Sequence, residues 1–177
     1  MMNIRKALTK ILQLNAVCTG NICRSALAEV VLAAKARELE IQDQFEIISS
    51  GVSNEEQGNP MDRRAVQVLQ ENGYDLSDPR VSKHRAHQIT QRELDETDVF
   101  LAMTSQHAQS LIKRFGVHPQ KVFLWRWFER MDEADVVDGV HTGPDLIDPW
   151  YGDVDDFRVA LGQIESSAEK VLKYDKF

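Results

Sequence analysis

Residues 18–25 read Cys-Thr-Gly-Asn-Ile-Cys-Arg-Ser: a cysteine, five residues, then an arginine and a serine. Those residue types at that spacing suit nucleophilic attack on phosphorus beside a held oxyanion. A thiol attacks as its thiolate, and with an unperturbed pKa near ~8.5 only a small part is ionised at neutral pH. Gly20 and Asn21 let successive backbone N–H groups turn inward and form a nest for negative charge. A helix opening near Arg24 aims its positive end at the same point. The planar guanidinium of Arg24 can grip two phosphate oxygens at once, which an ammonium cannot. Cys18 is therefore the candidate nucleophile. Thr19, Gly20, Asn21, Ile22, Cys23 and Ser25 form the candidate phosphate-binding loop, with the Ser25 hydroxyl placed to bond sulfur or phosphate.

A bare Cys-x5-Arg arises by chance in many chains, and an isolated cysteine is usually an inert small hydrophobe. The surroundings separate this case. Residues 11–17 hold Ile11, Leu12, Leu14, Ala16 and Val17, enough for a buried strand. Residues 26–39 carry Leu27, Val30, Val31 and Ala34 at the spacing of one helical face. A ligand loop at the carboxyl end of a first strand is where open α/β sheets bind anions.

The same reading continues along the chain. A second strand is predicted over 45–49 and a helix over 62–72, with Gly73 to end it. Thr90-x-x-Glu93 is a capping box. A third strand spans 99–103, and Thr104 caps a helix that runs to Phe115 and stops at Gly116. A fourth strand covers 121–125, and Phe157, Leu161, Ile164, Ala168 and Val171 form the buried stripe of a last helix. The alternation predicts an α/β, three-layer fold: a four-stranded parallel sheet, helices on both faces, and the phosphate-binding loop after the first strand. Residues 1–177 read as a single domain, with a basic lead-in over 1–10. The charged, glycine-broken stretch 126–147 reads as a surface loop. Trp125 and Trp127 are expected in the core; were Trp127 and Phe128 exposed, they would form a substrate-protein or dimer contact.

With these residues in place the chain resembles the low-molecular-weight protein tyrosine phosphatases. The match rests on 17–25 (Val-Cys-Thr-Gly-Asn-Ile-Cys-Arg-Ser) and on Asp148-Pro149-Trp150-Tyr151-Gly152. Ser49-Ser50-Gly51, Gly58-Asn59-Pro60-Met61-Asp62 and His84-Arg85-Ala86-His87-Gln88-Ile89 fall between them in the family's order. The resemblance covers roughly residues 11–174. It implies attack by Cys18 on a phosphotyrosine, a phosphocysteine intermediate, Arg24 as phosphate clamp, and Asp148 as general acid and then general base. A phenol pKa near ~10 makes an unprotonated leaving group unfavourable at neutral pH, which gives the acid its task. The resemblance further implies that Asn21, Ser50 and His84 support the loop, and that Cys23 can pair with Cys18 as a reversible redox partner. Trp150 is the expected wall against the substrate ring, with Tyr151 beside it; Asp-Pro alone would be only a turn signal.

Five positions depart from the family pattern. Ala26 replaces a usual proline. Glu55 and Glu56 stand where an aromatic wall residue is common, and a carboxylate repels a phosphate dianion. Thr104 stands where aspartate is common, and His87 where arginine is common.

Composition sets the remaining bounds. The chain has 177 residues, 42% hydrophobic, with no apolar run long enough to span a membrane. Its net charge of −7 argues against nonspecific nucleic-acid binding. Two cysteines in one loop form no disulfide framework and suit a reducing cytoplasm. No metal and no cofactor are expected, since there is no His-x-x-x-His pair and no second cysteine cluster. The expected partner is a tyrosine-phosphorylated protein, and the expected state a monomer or weak homodimer. Three alternatives stay open. A protein arginine phosphatase typically has threonine at the position of Ile22. An arsenate reductase on this fold would need an external thiol, because no cysteine follows Cys23. A noncatalytic phosphate-binding regulator would need loss of Cys18, Arg24 or Asp148, and all three are present.

Overall fold

The computed structural model describes residues 10–177, so the expected lead-in falls outside the described residues save for Lys10. The chain runs β1 (Leu12–Cys18), α1 (Arg24–Glu38), β2 (Phe45–Gly51), α2 (Arg63–Glu71), α3 (Pro79–Ser82) and α4 (Gln91–Glu96). It continues through β3 (Val99–Ala102), α5 (Ser105–Lys113), β4 (Val122–Leu124), β5 (Val136–Val137), β6 (Val140–His141) and α6 (Val154–Lys173). The sheet order is β2-β1-β3-β4-β6-β5, parallel throughout except where β5 meets β6.

The sheet has six strands rather than four. The extra pair comes from the stretch read as a surface loop. Val136-Val137 and Val140-His141 flank Asp138-Gly139, whose φ values of 51° and 85° are those of a tight hairpin turn. The hairpin adds to the β4 edge through the pairing of Phe123 with His141. The start of the same stretch is also internal: residues Trp125–Glu129 form a 3₁₀ turn in which Trp125, Trp127 and Phe128 are buried. No aromatic contact surface exists at Trp127 and Phe128.

Strand alternation sorts the core onto the two faces. Leu14, Ala16, Cys18, Leu101 and Met103 face α1, α2 and α6. Val17, Phe100, Ala102, Val122 and Leu124 face α5. Helix α1 opens at Arg24, two residues ahead of the apolar stretch read from residue 26, so Arg24 and Ser25 occupy its first turn. That turn is wholly buried, as are Ala26, Leu27 and Ala28. Helix α6 buries Phe157, Leu161, Ile164, Ala168 and Val171 as its spacing required. Thr90 makes the capping box of α4, and Thr104 caps α5. Among the described residues, no helix is long and apolar enough to cross a membrane.

Candidate active site

Strand β1 ends at Cys18 and α1 begins at Arg24, so five residues must curl around the helix axis. Asn21 makes the curl possible with φ at 61°, the left-handed region that asparagine tolerates. The tight turn also needs bare backbone next door. A Cβ on Gly51 at the end of β2 would lie 2.6 Å from the carbonyl oxygen of Thr19.

The loop is held by a chain of buried side-chain hydrogen bonds. The Asn21 backbone N–H lies 3.3 Å from the Cys18 sulfur. The Asn21 amide Nδ2 donates to Ser25 Oγ and Ser49 Oγ, each at 2.9 Å. Its Oδ1 accepts from the backbone N–H of His87 at 3.3 Å, which fixes the amide's orientation. Ser25 Oγ accepts from Asn21, so its own hydrogen is free for Cys18 Sγ at 3.0 Å. Ser49 in turn donates to Glu29 at 2.5 Å. His84 Nε2 meets the Asn21 carbonyl at 2.6 Å, and burial pulls its pKa below the ordinary histidine value. The Cys18 sulfur thus has two donors aimed at it, each fixed by a further layer.

Ser50, expected as a loop support, does not take part. Its hydroxyl donates to Asn15 at 2.9 Å, on the opposite face of the sheet. Side chains alternate along β2, so of two adjacent serines only Ser49 can face the loop. Glu29 was missed altogether. Desolvation raises its pKa to about 7, against the opposing bond from Ser49 and the charge of Arg80.

Arg24 is 3% exposed. Nη1 donates to the Leu146 carbonyl at 2.9 Å, and Nη2 pairs with Asp148 Oδ2 at 3.1 Å. Its buried Nε has no hydrogen-bond partner among the described residues. Asp148 caps the short turn Pro149–Tyr151 by accepting from the Trp150 N–H at 3.1 Å. That turn is anchored by Arg64, which donates to the carbonyls of Trp150 and Gly152 at 3.2 and 2.8 Å. Arg64 also pairs with Asp62 at 2.9 Å and lies 4.5 Å over the Phe157 ring. The Asp62 N–H donates to the Ile22 carbonyl at 3.0 Å. Asp62 and Arg64 therefore tie the two loops together, a link between distant segments that spacing alone does not reveal.

Cys18, Thr19, Gly20, Ile22, Cys23, Arg24 and Asp148 share one cleft of about 190 Å³ with Glu55, Glu56, Trp150 and Tyr151. The Trp150 and Tyr151 rings meet edge-to-face at 4.9 Å and are 46% and 85% exposed. Cys18 and Cys23 are both buried free thiols. Burial, aided by Asp62, pushes the Cys23 thiol far above the ordinary range. Among the described residues, no three His, Cys, Asp or Glu side chains gather to hold a metal.

Residues 13–176 match the family model described as low molecular weight phosphotyrosine protein phosphatase. The chain belongs to this family. It is 36% identical over 151 residues to low molecular weight protein-tyrosine phosphatase A of Mycobacterium tuberculosis, covering 85% of this chain and 83% of that protein. It is 30% identical over 157 residues to a protein-arginine-phosphatase of Geobacillus stearothermophilus, covering 89% and 91%. The crystal structure of the low molecular weight protein tyrosine phosphatase from T. tengcongensis superposes with a TM-score of 0.74 at 28% identity, over 92% of this chain and 98% of that one. Members of the family are phosphatases, so a phosphoprotein is the substrate class that membership supports.

Proposed function

We propose that this family member hydrolyses phosphotyrosine on proteins, with Cys18 as nucleophile, Arg24 as phosphate clamp and Asp148 as general acid and base. One observation carries the reading. A buried guanidinium whose Nε is unpaired among the described residues lines the same cleft as the thiol and bridges toward the Asp148 carboxylate. A buried N–H without a partner costs free energy, and a phosphate oxygen in the cleft would satisfy it.

The sequence of events follows from these positions. A phosphoryl group enters the loop, and its oxygens take the backbone N–H groups and Arg24. Cys18 sulfur bonds to phosphorus as the bond to the phenolic oxygen breaks, and Asp148 gives its proton to that oxygen. Trp150 flanks the ring. Asp148 then takes a proton from water, which attacks phosphorus and releases Cys18 and inorganic phosphate. Charge developing on the equatorial oxygens meets donors already in place. The scheme calls on no cofactor. A single-domain monomer or weak homodimer in a reducing cytoplasm fits the two free thiols, and Cys23 stands close enough in sequence to serve as a redox partner for Cys18.

A second reading has specific support. The relative named as an arginine phosphatase, together with the Glu55 and Glu56 carboxylates at the cleft, makes phosphoarginine a rival substrate, since its guanidinium would welcome that charge. Ile22 opposes it by offering bulk where a hydroxyl would help place water. The test is hydrolysis of phosphotyrosine and phosphoarginine at matched concentrations, from pH 5 to 8, by wild type, Cys18→Ser and Ile22→Thr. Expected are phosphotyrosine turnover, its loss in Cys18→Ser, and gained phosphoarginine turnover in Ile22→Thr. Wild-type turnover confined to phosphoarginine would replace the first reading with the second.

A further inference from the structure

Thr19 follows the nucleophile directly and lines the cleft, yet its hydroxyl is held from behind. Thr19 Oγ1 lies 2.9 Å from Nε2 of His107, which stands in the first turn of α5 and is 3% exposed. The other ring nitrogen, Nδ1, lies 3.0 Å from Thr104 Oγ1. A buried imidazole between two hydroxyls, one of them at the mouth of the site, is more than packing requires.

The bond directions can be assigned by counting donors. Thr104 Oγ1 accepts the His107 backbone N–H at 3.3 Å as the cap of α5, which leaves its hydroxyl hydrogen for Nδ1. Nδ1 is then the acceptor and Nε2 carries the proton, so Nε2–H donates to Thr19 Oγ1. Either tautomer leaves one hydroxyl hydrogen over; the opposite one would leave it on half-buried Thr104, whereas this one leaves it on exposed Thr19, which opens on the cleft. Desolvation and the nearby Arg24 push the His107 pKa down to about 3, so the ring stays neutral and the arrangement persists across the assay range. Thr19 Oγ1 is thereby filled as an acceptor from the protein side. Its own hydrogen has no acceptor among the described residues, and the open side of Thr19 is the cleft.

We infer that His107 is a positioning residue that holds the Thr19 hydroxyl as a donor to an oxygen of the bound phosphoryl group. The inference rests on the cleft being a phosphatase site. The pairing also gives the uncommon Thr104 a purpose: a carboxylate there could only accept, and would turn Nδ1 into the donor and Nε2 into an acceptor. Thr19 would then have to spend its hydrogen on the ring rather than on the substrate.

The test uses the full chain, with kcat and KM for phosphotyrosine and the Kd of inorganic phosphate measured for each variant. Thr19→Val removes the hydroxyl from an exposed side chain with little change of shape, so it keeps the question answerable if a His107 variant fails to fold. One hydrogen bond to a charged group corresponds to about a tenfold effect. Thr19→Val is expected to lower kcat/KM about tenfold and to weaken phosphate binding. His107→Leu is expected to do the same. The double variant is expected to match Thr19→Val alone, because His107 acts only through that hydroxyl. His107→Gln, which keeps an amide N–H near the Nε2 position, is expected to recover most of the loss. Wild-type kcat/KM and phosphate Kd in Thr19→Val would overturn the inference. So would equal losses from His107→Leu with and without Thr19, or no recovery by His107→Gln. A wild-type protein that neither turns over phosphotyrosine nor binds phosphate would instead overturn the site reading beneath it.

Discussion

The inner and outer halves of the cleft are built differently. At the bottom, Cys18, Asn21, Ser25 and Ser49 are buried and joined in one hydrogen-bonded chain that ends on Glu29. At the rim, Glu55, Trp150 and Tyr151 are exposed and make few polar contacts with the rest of the chain. A buried, satisfied network allows one arrangement, because each member lost leaves an unpaired polar group behind. An exposed rim carries no such penalty and can change residue by residue. The Cys-x5-Arg-Ser motif sits at the bottom, while Trp150 and Tyr151 of the second motif sit at the rim beside the departure to carboxylates. The bottom is thus suited to set the reaction, and the rim to set what is admitted.

The comparison can be sharpened by altering each half in turn. The largest effect is expected at the junction. Asp148→Asn should lower phosphotyrosine turnover about a hundredfold or more, and far less for an aryl phosphate whose leaving group needs no proton. Steady-state kinetics on the two substrates checks this, and equal losses would remove Asp148 from the acid role.

At the bottom, Glu29→Gln should change stability in a pH-dependent way. The folded pKa of about 7 lies above the unfolded value of 4.5, so the folded state binds the extra proton. That contribution is present in full below about pH 4.5 and is lost as pH rises through 7. The Gln variant lacks this loss, so its stability relative to wild type should rise between pH 5 and pH 8, by at most about 3 kcal/mol. Urea unfolding at the two pH values measures it. A constant difference would mean that Glu29 titrates normally.

At the rim, Glu55→Leu should lower KM for a phosphopeptide with acidic neighbours only a few-fold, since exposed charges interact weakly, and the gain should shrink in high salt. An unchanged KM would mean that the rim carboxylate lies outside the reach of the peptide.

The two halves also differed in how far the sequence revealed them. The strand, the curled loop and the helix were legible because Cys18 to Ser25 lie within one short segment whose chemistry is local. The α/β order was legible from the spacing of apolar residues. Ser49, Glu29, Arg64 and His107 were not, because each acts through a partner far along the chain: Glu29 reaches Ser49, and His107 reaches Thr19. The Ser49 and Ser50 pair illustrates the difficulty. Either serine could have served until the pleat of β2 fixed which one faces the loop. The β5–β6 hairpin, by contrast, was available to inspection. Asp138-Gly139 between valine-rich pairs is a hairpin signal, obscured by the many charges around it.

The most direct test of the account is to look for the covalent intermediate. Asp148→Asn should be mixed with an aryl phosphate whose leaving group departs unaided, quenched in acid within a turnover, and mapped by peptide mass spectrometry. The account predicts a phosphoryl group on Cys18, because attack proceeds while release by water is slowed. Turnover with no adduct, or an adduct on Cys23 or any other residue, would contradict it.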